Sequence, residues 1–100
     1  MFEKINIYLD DERESPKCFI RTFTVDETIN LLKKHNGNIG ILSLDNDLGK
    51  GLEEGRKVID WIDEQVNLNP EYILPDEIEV HSANGPAAIY MKKVIRRLYF

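Results

Sequence analysis

At 100 residues the chain has room for one domain with a real core and none for a second. Hydrophobic residues make up 42% and charged residues 31%, which excludes a disordered or low-complexity protein. The formal net charge of −5 argues against a general phosphate-backbone binder, whose affinity comes from Lys and Arg, although thirteen basic residues still permit a local patch.

No apolar run approaches the roughly 20 residues that cross a bilayer. Met1-Phe2-Glu3-Lys4 lacks the basic-then-apolar layout of a signal peptide, so a cytoplasmic location is expected. Cys18 stands alone, which leaves no internal disulfide and agrees with a reducing compartment.

Ile5 to Leu9 reads as a central strand that runs straight into Asp10-Asp11-Glu12. The charged segment up to Pro16 is a loop, since Pro16 opposes a helix through it. Phe19 to Thr24, rich in β-branched and aromatic residues, predicts a short second strand at the sheet edge. About nine residues separate these strands, fewer than the dozen or so of a helical parallel crossover. Either the connection is extended or the second strand is irregular. Asp26 or Thr24 caps the first helix, Glu27 sits in its first turn, and Ile29, Leu31 and Leu32 form its core-facing stripe. Lys33-Lys34-His35 complement the dipole at its carboxyl end, and Asn36-Gly37 stop it.

Ile39 to Leu44 is a buried strand that breaks off into Asp45-Asn46-Asp47. Glu53 to Val66 predicts a second helix, with Val58, Ile59, Trp61, Ile62 and Val66 along one face. Asn67 to Pro75 is a loop and Glu77 to Val80 a fourth strand, which runs into His81-Ser82-Ala83-Asn84. Pro86 to Leu98 is a last helix carrying Ile89, Met91, Val94, Ile95 and Leu98. With no repeat or linker, residues 1–100 read as a single domain in the order β, β, α, β, α, β, α.

Three strands therefore end in polar chemistry at one edge. In a parallel sheet covered on both faces a strand is apolar until it leaves at its carboxyl end, and open α/β sheets keep their sites there. Asp10 and Asp11 repel each other, and burying both is costly unless a cation or basic side chains compensate. With Asp45 and Asp47 alongside, three or four acids would share a small volume suited to Mg²⁺ or Mn²⁺, hard ions that take oxygen ligands. The plainer alternative is that Asp10 and Asp11 begin a solvated loop while Asp45 and Asp47 cap the turn after their strand.

His81 follows its strand directly, where a neutral imidazole could act as general acid or base, with Ser82 and Asn84 offering hydrogen bonds to a phosphoryl group. Equally, His81 could be a core histidine, with Ser82 or Asn84 capping the last helix ahead of Pro86. Arg13, Lys50 and Arg56 are candidates for phosphate contact, although loop charges are usually just solvated. Gly49-Lys50-Gly51 lacks the spacing of a P-loop. Trp61 and Met91 are read as core, and His35 and Cys18 receive no catalytic part.

Three segments taken together resemble a known family. Tyr8-Leu9-Asp10-Asp11-Glu12-Arg13 with Pro16, Leu42-Ser43-Leu44-Asp45-Asn46-Asp47-Leu48-Gly49 with Gly55, and Val80-His81-Ser82-Ala83-Asn84 are similar to the motifs of the cyclic-phosphate processing receiver domain. Asn46 stands where many members have histidine, which removes one possible catalytic group. More distantly the layout resembles response-regulator receivers, in which an acid pair after the first strand and an aspartate after the third bind Mg²⁺. That resemblance implies Asp10 and Asp11 as the acid pair, Asp45 as the acceptor-like position with Asp47 as its rival, and Ser82-Ala83 as the hydroxyl and small residue. These 100 residues are expected to hold no counterpart of the fifth strand of such receivers or its lysine, which counts against their usual phosphorylation switch.

The expectation is a truncated, three-layer, flavodoxin-like α/β fold with a mainly parallel sheet of about four strands in the order 2-1-3-4. The resemblance implies processing of a cyclic phosphate, such as a 2′,3′-cyclic RNA end or a cyclic nucleotide, with Asp10, Asp11, Asp45 and Asp47 on metal. His81, Asp45 and Asp47 would then be catalytic, and Arg13, Ser82, Asn84 and Lys50 would hold the phosphate. The other expectation is a non-catalytic receiver-like module that binds metal and phosphate, or is phosphorylated on Asp45, and signals through a protein partner.

Overall fold

The computed structural model describes residues 3–48, 54–82 and 85–100. Four strands, β1 (Ile5–Leu9), β2 (Ile20–Thr22), β3 (Ile39–Leu44) and β4 (Glu77–Val80), alternate with α1 (Val25–Lys34), α2 (Arg56–Leu68) and α3 (Gly85–Tyr99). The sheet is parallel throughout, in the order β2-β1-β3-β4 expected from the sequence. This is an α/β receiver-like fold. Among the described residues, no helix is long and apolar enough to cross a membrane.

The side-chain alternation of the strands sorts them into two faces. Ile7, Leu9, Leu42, Leu44 and Ile78 point to one side, where they close a core with Leu32, Val58, Ile59, Ile62, Met91 and Val94. Each such side chain contributes roughly 1.5–3 kcal/mol by leaving water. Helix α2 touches both α1 and α3, so all three helices lie side by side over this face. Tyr8, Arg21, Ser43 and Glu79 are in register across the other face. Among the described residues no helix covers that second face. The extended connection from β1 to β2 lies over it instead, and Phe19 meets the Tyr8 ring edge-on at 6.2 Å. The connection is too short for a helix.

Local departures from expectation have local causes. Strand β2 is only three residues long, because Cys18 just before it adopts a left-handed φ of 72° and Thr24 just after it leaves the sheet to cap α1. Thr24, rather than Asp26, is the cap: its Oγ1 accepts from the Glu27 N–H, and Glu27 accepts in return from the Phe23 N–H at 3.1 Å. Thr28 is fully buried yet satisfied, donating to the Thr24 carbonyl and sharing a 2.7 Å hydrogen bond with Thr22. Helix α2 begins at Arg56, and its expected first residue, Glu53, lies outside the described residues. Val66 and Ile89, expected on core stripes, are 41% and 61% exposed.

The pairing of β1 with β3 is not uniform. Ile5 pairs with Ile39 but Ile7 with Leu42, so β3 carries one extra residue there. The side chain of Asn6 fills the gap in the ladder, its Oδ1 accepting from the Ile41 N–H at 2.8 Å. A Cβ on Gly40 would come within 2.6 Å of that oxygen, so the position has no room for a side chain.

Candidate functional site

Backbone ladders continue one residue past β1, β3 and β4 and thereby fix three side chains at the carboxyl edge. Asp10 N–H donates to Thr22, Asp45 N–H to Leu9, and His81 N–H to Leu44, all at 2.9–3.1 Å. Period-two alternation turns these three side chains toward the second face, with Tyr8 and Ser43.

Asp10 is fully buried. Its Oδ1 accepts from the backbone N–H groups of Glu12 and Arg13 at 2.8 and 2.9 Å, which folds the start of the loop around it. Its Oδ2 lies 3.0 Å from His81 Nε2 and 3.9 Å from Arg13 Nη1. Asp45 is 9% exposed and accepts from the Asn46 N–H at 2.8 Å. One ligand atom from each of Asp10, Asp11 and Asp45 lies within 4.8 Å of the others, forming a cluster of carboxylates alone. Within it, Asp11 Oδ1 is buried and has no hydrogen-bond partner.

Burial acts on the two strand-end acids with opposite results. For Asp10 burial pushes the pKa up, but the N–H groups of Arg13 and Glu12 and the His81 imidazole outweigh it, leaving the carboxyl below its usual value. For Asp45 burial wins, helped by the nearby Asp10 charge and only partly offset by the Asn46 N–H, so its pKa is raised.

His81 is held on every side. Its Nδ1 lies 2.7 Å from Ser43 Oγ, its Nε2 faces Asp10, and its ring stacks on Tyr8 with centroids 4.3 Å apart and planes 2° from parallel. Arg13 Nη1 donates to the His81 carbonyl, tying the first loop to the end of β4. A family model for the cyclic-phosphate processing receiver domain matches residues 5–97, from the first residue of β1 to the last turn of α3. The chain belongs to this family. Comparison with curated proteins and with solved structures finds no match.

In this cyclic-phosphate processing receiver domain the fold brings Asp10, Asp11, Asp45, His81 and Arg13 to one place. Asp47 is exposed on the shoulder after β3, where its Oδ1 accepts from Asn46 Nδ2, and it does not join the three-carboxylate cluster found among the described residues. Ser82 is half-buried next to His81. Lys50 and Asn84 lie outside the described residues. Arg56 turns to Glu54 and Asp60 at the start of α2.

Sequence reasoning missed the supports of this site. Tyr8 and Ser43 share the parity of Asp10, Asp45 and His81, a signal that alternation alone could have supplied. Asn46, read as a lost catalytic position, is fully buried: its Oδ1 accepts from the Arg56 N–H at 3.1 Å and caps α2, while its Nδ2 donates to Asp47 and Glu54. Gly55 lies against the strand end, where an added Cβ would sit 1.7 Å from the Asp45 carbonyl oxygen.

Proposed function

We propose that the domain binds a divalent cation, Mg²⁺ or Mn²⁺, through Asp10, Asp11 and Asp45, and uses this site to process a cyclic phosphate. The observation that carries the reading is the Asp11 oxygen, buried without a donor inside a cluster whose ligand atoms are all carboxylate oxygens. Such an oxygen is costly to bury. A hard cation satisfies it and matches the donor set. When bound, the ion would supply Lewis acidity toward a phosphoryl oxygen and lower the pKa of a coordinated water.

The chain's own residues have separate parts. Arg13, half-exposed beside Asp10 and His81, presents a planar fork of N–H donors suited to anionic phosphoryl oxygens. Ser82, Lys50 and Asn84 are proposed as further phosphate contacts, and Asp47 as a further acid at the mouth of the site. Asp45, whose carboxylate ends β3 within the cluster, is proposed as the group that accepts a proton from the attacking water. The reaction proposed is hydrolysis of a 2′,3′-cyclic phosphate at an RNA end or of a cyclic nucleotide. Water adds to phosphorus, one bond from phosphorus to a ribose oxygen breaks, and the water's proton ends on that oxygen.

One observation favours a second reading, a non-catalytic module that binds metal and phosphate or is phosphorylated on Asp45. Both ring nitrogens of His81 are already hydrogen-bonded, so the imidazole has no free lone pair to offer water. Titration of wild type and Asp45→Asn with Mg²⁺ or Mn²⁺ in the presence of 2′,3′-cyclic AMP, with product followed by chromatography, separates the two. The enzyme reading expects metal-dependent ring opening that falls on the order of 10²-fold or more in the variant. Metal binding without product, together with a mass increase from a small phosphodonor that Asp45→Asn abolishes, would establish the module.

A further inference from the structure

We infer that His81 is a positioning residue for the acid cluster, and that Ser43 and Tyr8 fix which ring nitrogen it turns toward Asp10. The inference rests on the metal-site reading above. It starts from the donors and acceptors available. The Asp10 carboxylate, when ionised, only accepts, so the His81 nitrogen 3.0 Å from its Oδ2 must carry hydrogen. That assigns the proton to Nε2. The other nitrogen, Nδ1, meets Ser43 Oγ at 2.7 Å, and a hydroxyl can give its proton to a neutral ring or accept one from a charged ring.

Ser43 is 3% exposed, so its hydroxyl is shielded from bulk water. Tyr8, 8% exposed, fixes the plane of the imidazole by parallel stacking. A half-turn of the ring would put carbon atoms opposite both Ser43 and Asp10 and lose both hydrogen bonds. The ring is therefore held in one plane and one orientation. What it presents is a fixed N–H to Asp10 Oδ2, while Asp10 Oδ1 is fixed by two backbone N–H groups. Both oxygens of a buried acid in the cluster are thus aimed before any ion arrives. Groups that orient a metal-ligating side chain in this way are typically worth 10–100-fold in metal affinity.

The alternative part for His81, a proton carrier, makes different demands on replacement. Glutamine can set an amide N–H near the position of Nε2, but it cannot shuttle a proton. We therefore expect His81→Ala to weaken Mn²⁺ binding 10–100-fold by calorimetric titration at neutral pH, and His81→Gln to restore most of that loss. Ser43→Ala, which removes the partner of Nδ1 but leaves Asp10 facing Nε2, should weaken binding several-fold, and ¹⁵N spectra should find Nε2 protonated in the wild type. Equal losses in His81→Gln and His81→Ala, or a wild-type ring protonated on Nδ1 alone, would overturn the inference while leaving the metal site standing. Absence of Mn²⁺ binding to the wild type would overturn the metal site and the inference with it.

Discussion

At the residue scale, Asp10 and Asp45 occupy equivalent ends of adjacent strands, yet their carboxyl pKa values move apart. Asp10 lies below its usual value and Asp45 above it. The sign of each effect on stability follows from linkage. The lowered Asp10 pKa contributes stability above the unfolded value, lost as pH falls through its folded pKa. The raised Asp45 pKa contributes stability only while the group is neutral, lost as pH rises through its folded pKa. In the metal-free fold, ionising Asp45 works against burial and the Asp10 charge. One oxygen of Asp10 and one of Asp45 lie within 4.8 Å of each other, and two like charges at such a separation cost roughly 1–4 kcal/mol between the water and protein-surface limits. Asp45→Asn should accordingly raise the metal-free Tm by at least about 4 °C for a domain of this size. The gain should shrink as pH falls and the wild-type carboxyl takes up its own proton, which thermal melts across the acidic range would check. These acids were legible because each ends an apolar run. Their supports were less so: Ser43 and Tyr8 lie inside strands and look like ordinary sheet residues until the partner across the ladder is known.

At the scale of elements, the start of α2 is tied directly to Asn46, two residues past the end of β3. Gly55 N–H donates to the Asn46 carbonyl at 2.8 Å, and Asn46 Oδ1 takes the Arg56 N–H. The sequence placed this helix start earlier because apolar periodicity and an acidic residue suit Glu53. It could not reveal that a residue ten positions upstream would provide the cap. Gly55→Ala should displace α2 from the Asp45 carbonyl, costing at least the roughly 1–3 kcal/mol typical of overpacking and lowering Mn²⁺ affinity with it. Gly85→Ala is the control at a glycine that begins another helix. Among the described residues, apart from its chain neighbours and its own helix backbone, no heavy atom lies within 4 Å of the Cβ it would add, so its Tm should hold or rise, the gain limited to about 1 kcal/mol. Differential scanning calorimetry of the two variants with matched metal titrations would test the contrast.

At the scale of the whole molecule, the helices and core lie on one face of the sheet, while the cluster sits at its edge with Tyr8, Ser43 and His81 on the other. Folding energy and site chemistry are thus assigned to opposite sides. A cation that binds only the folded chain should stabilise it by about 2.7 kcal/mol at 100 times its Kd, a Tm rise of roughly 10 °C at this size. Melts with and without Mn²⁺ should find that rise in wild type and lose most of it in Asp11→Asn. The strand order and helix succession were legible because buried strands and amphipathic helices have distinct periods. The uneven cover of the two faces was not, since it depends on a connection whose length left two outcomes open. The extra residue of β3 beside Asn6 has a consequence at the far end of the same strands. Had the pairing of Ile5 with Ile39 continued unbroken, Leu9 would stand beside Ser43, and Asp10 would neighbour Leu44 instead of Asp45. The two acids would then be one step out of phase and turned to opposite faces. A short amide side chain at the amino edge of the sheet, four residues from Asp10 and roughly 13 Å away, thus acts as the vernier that brings them level.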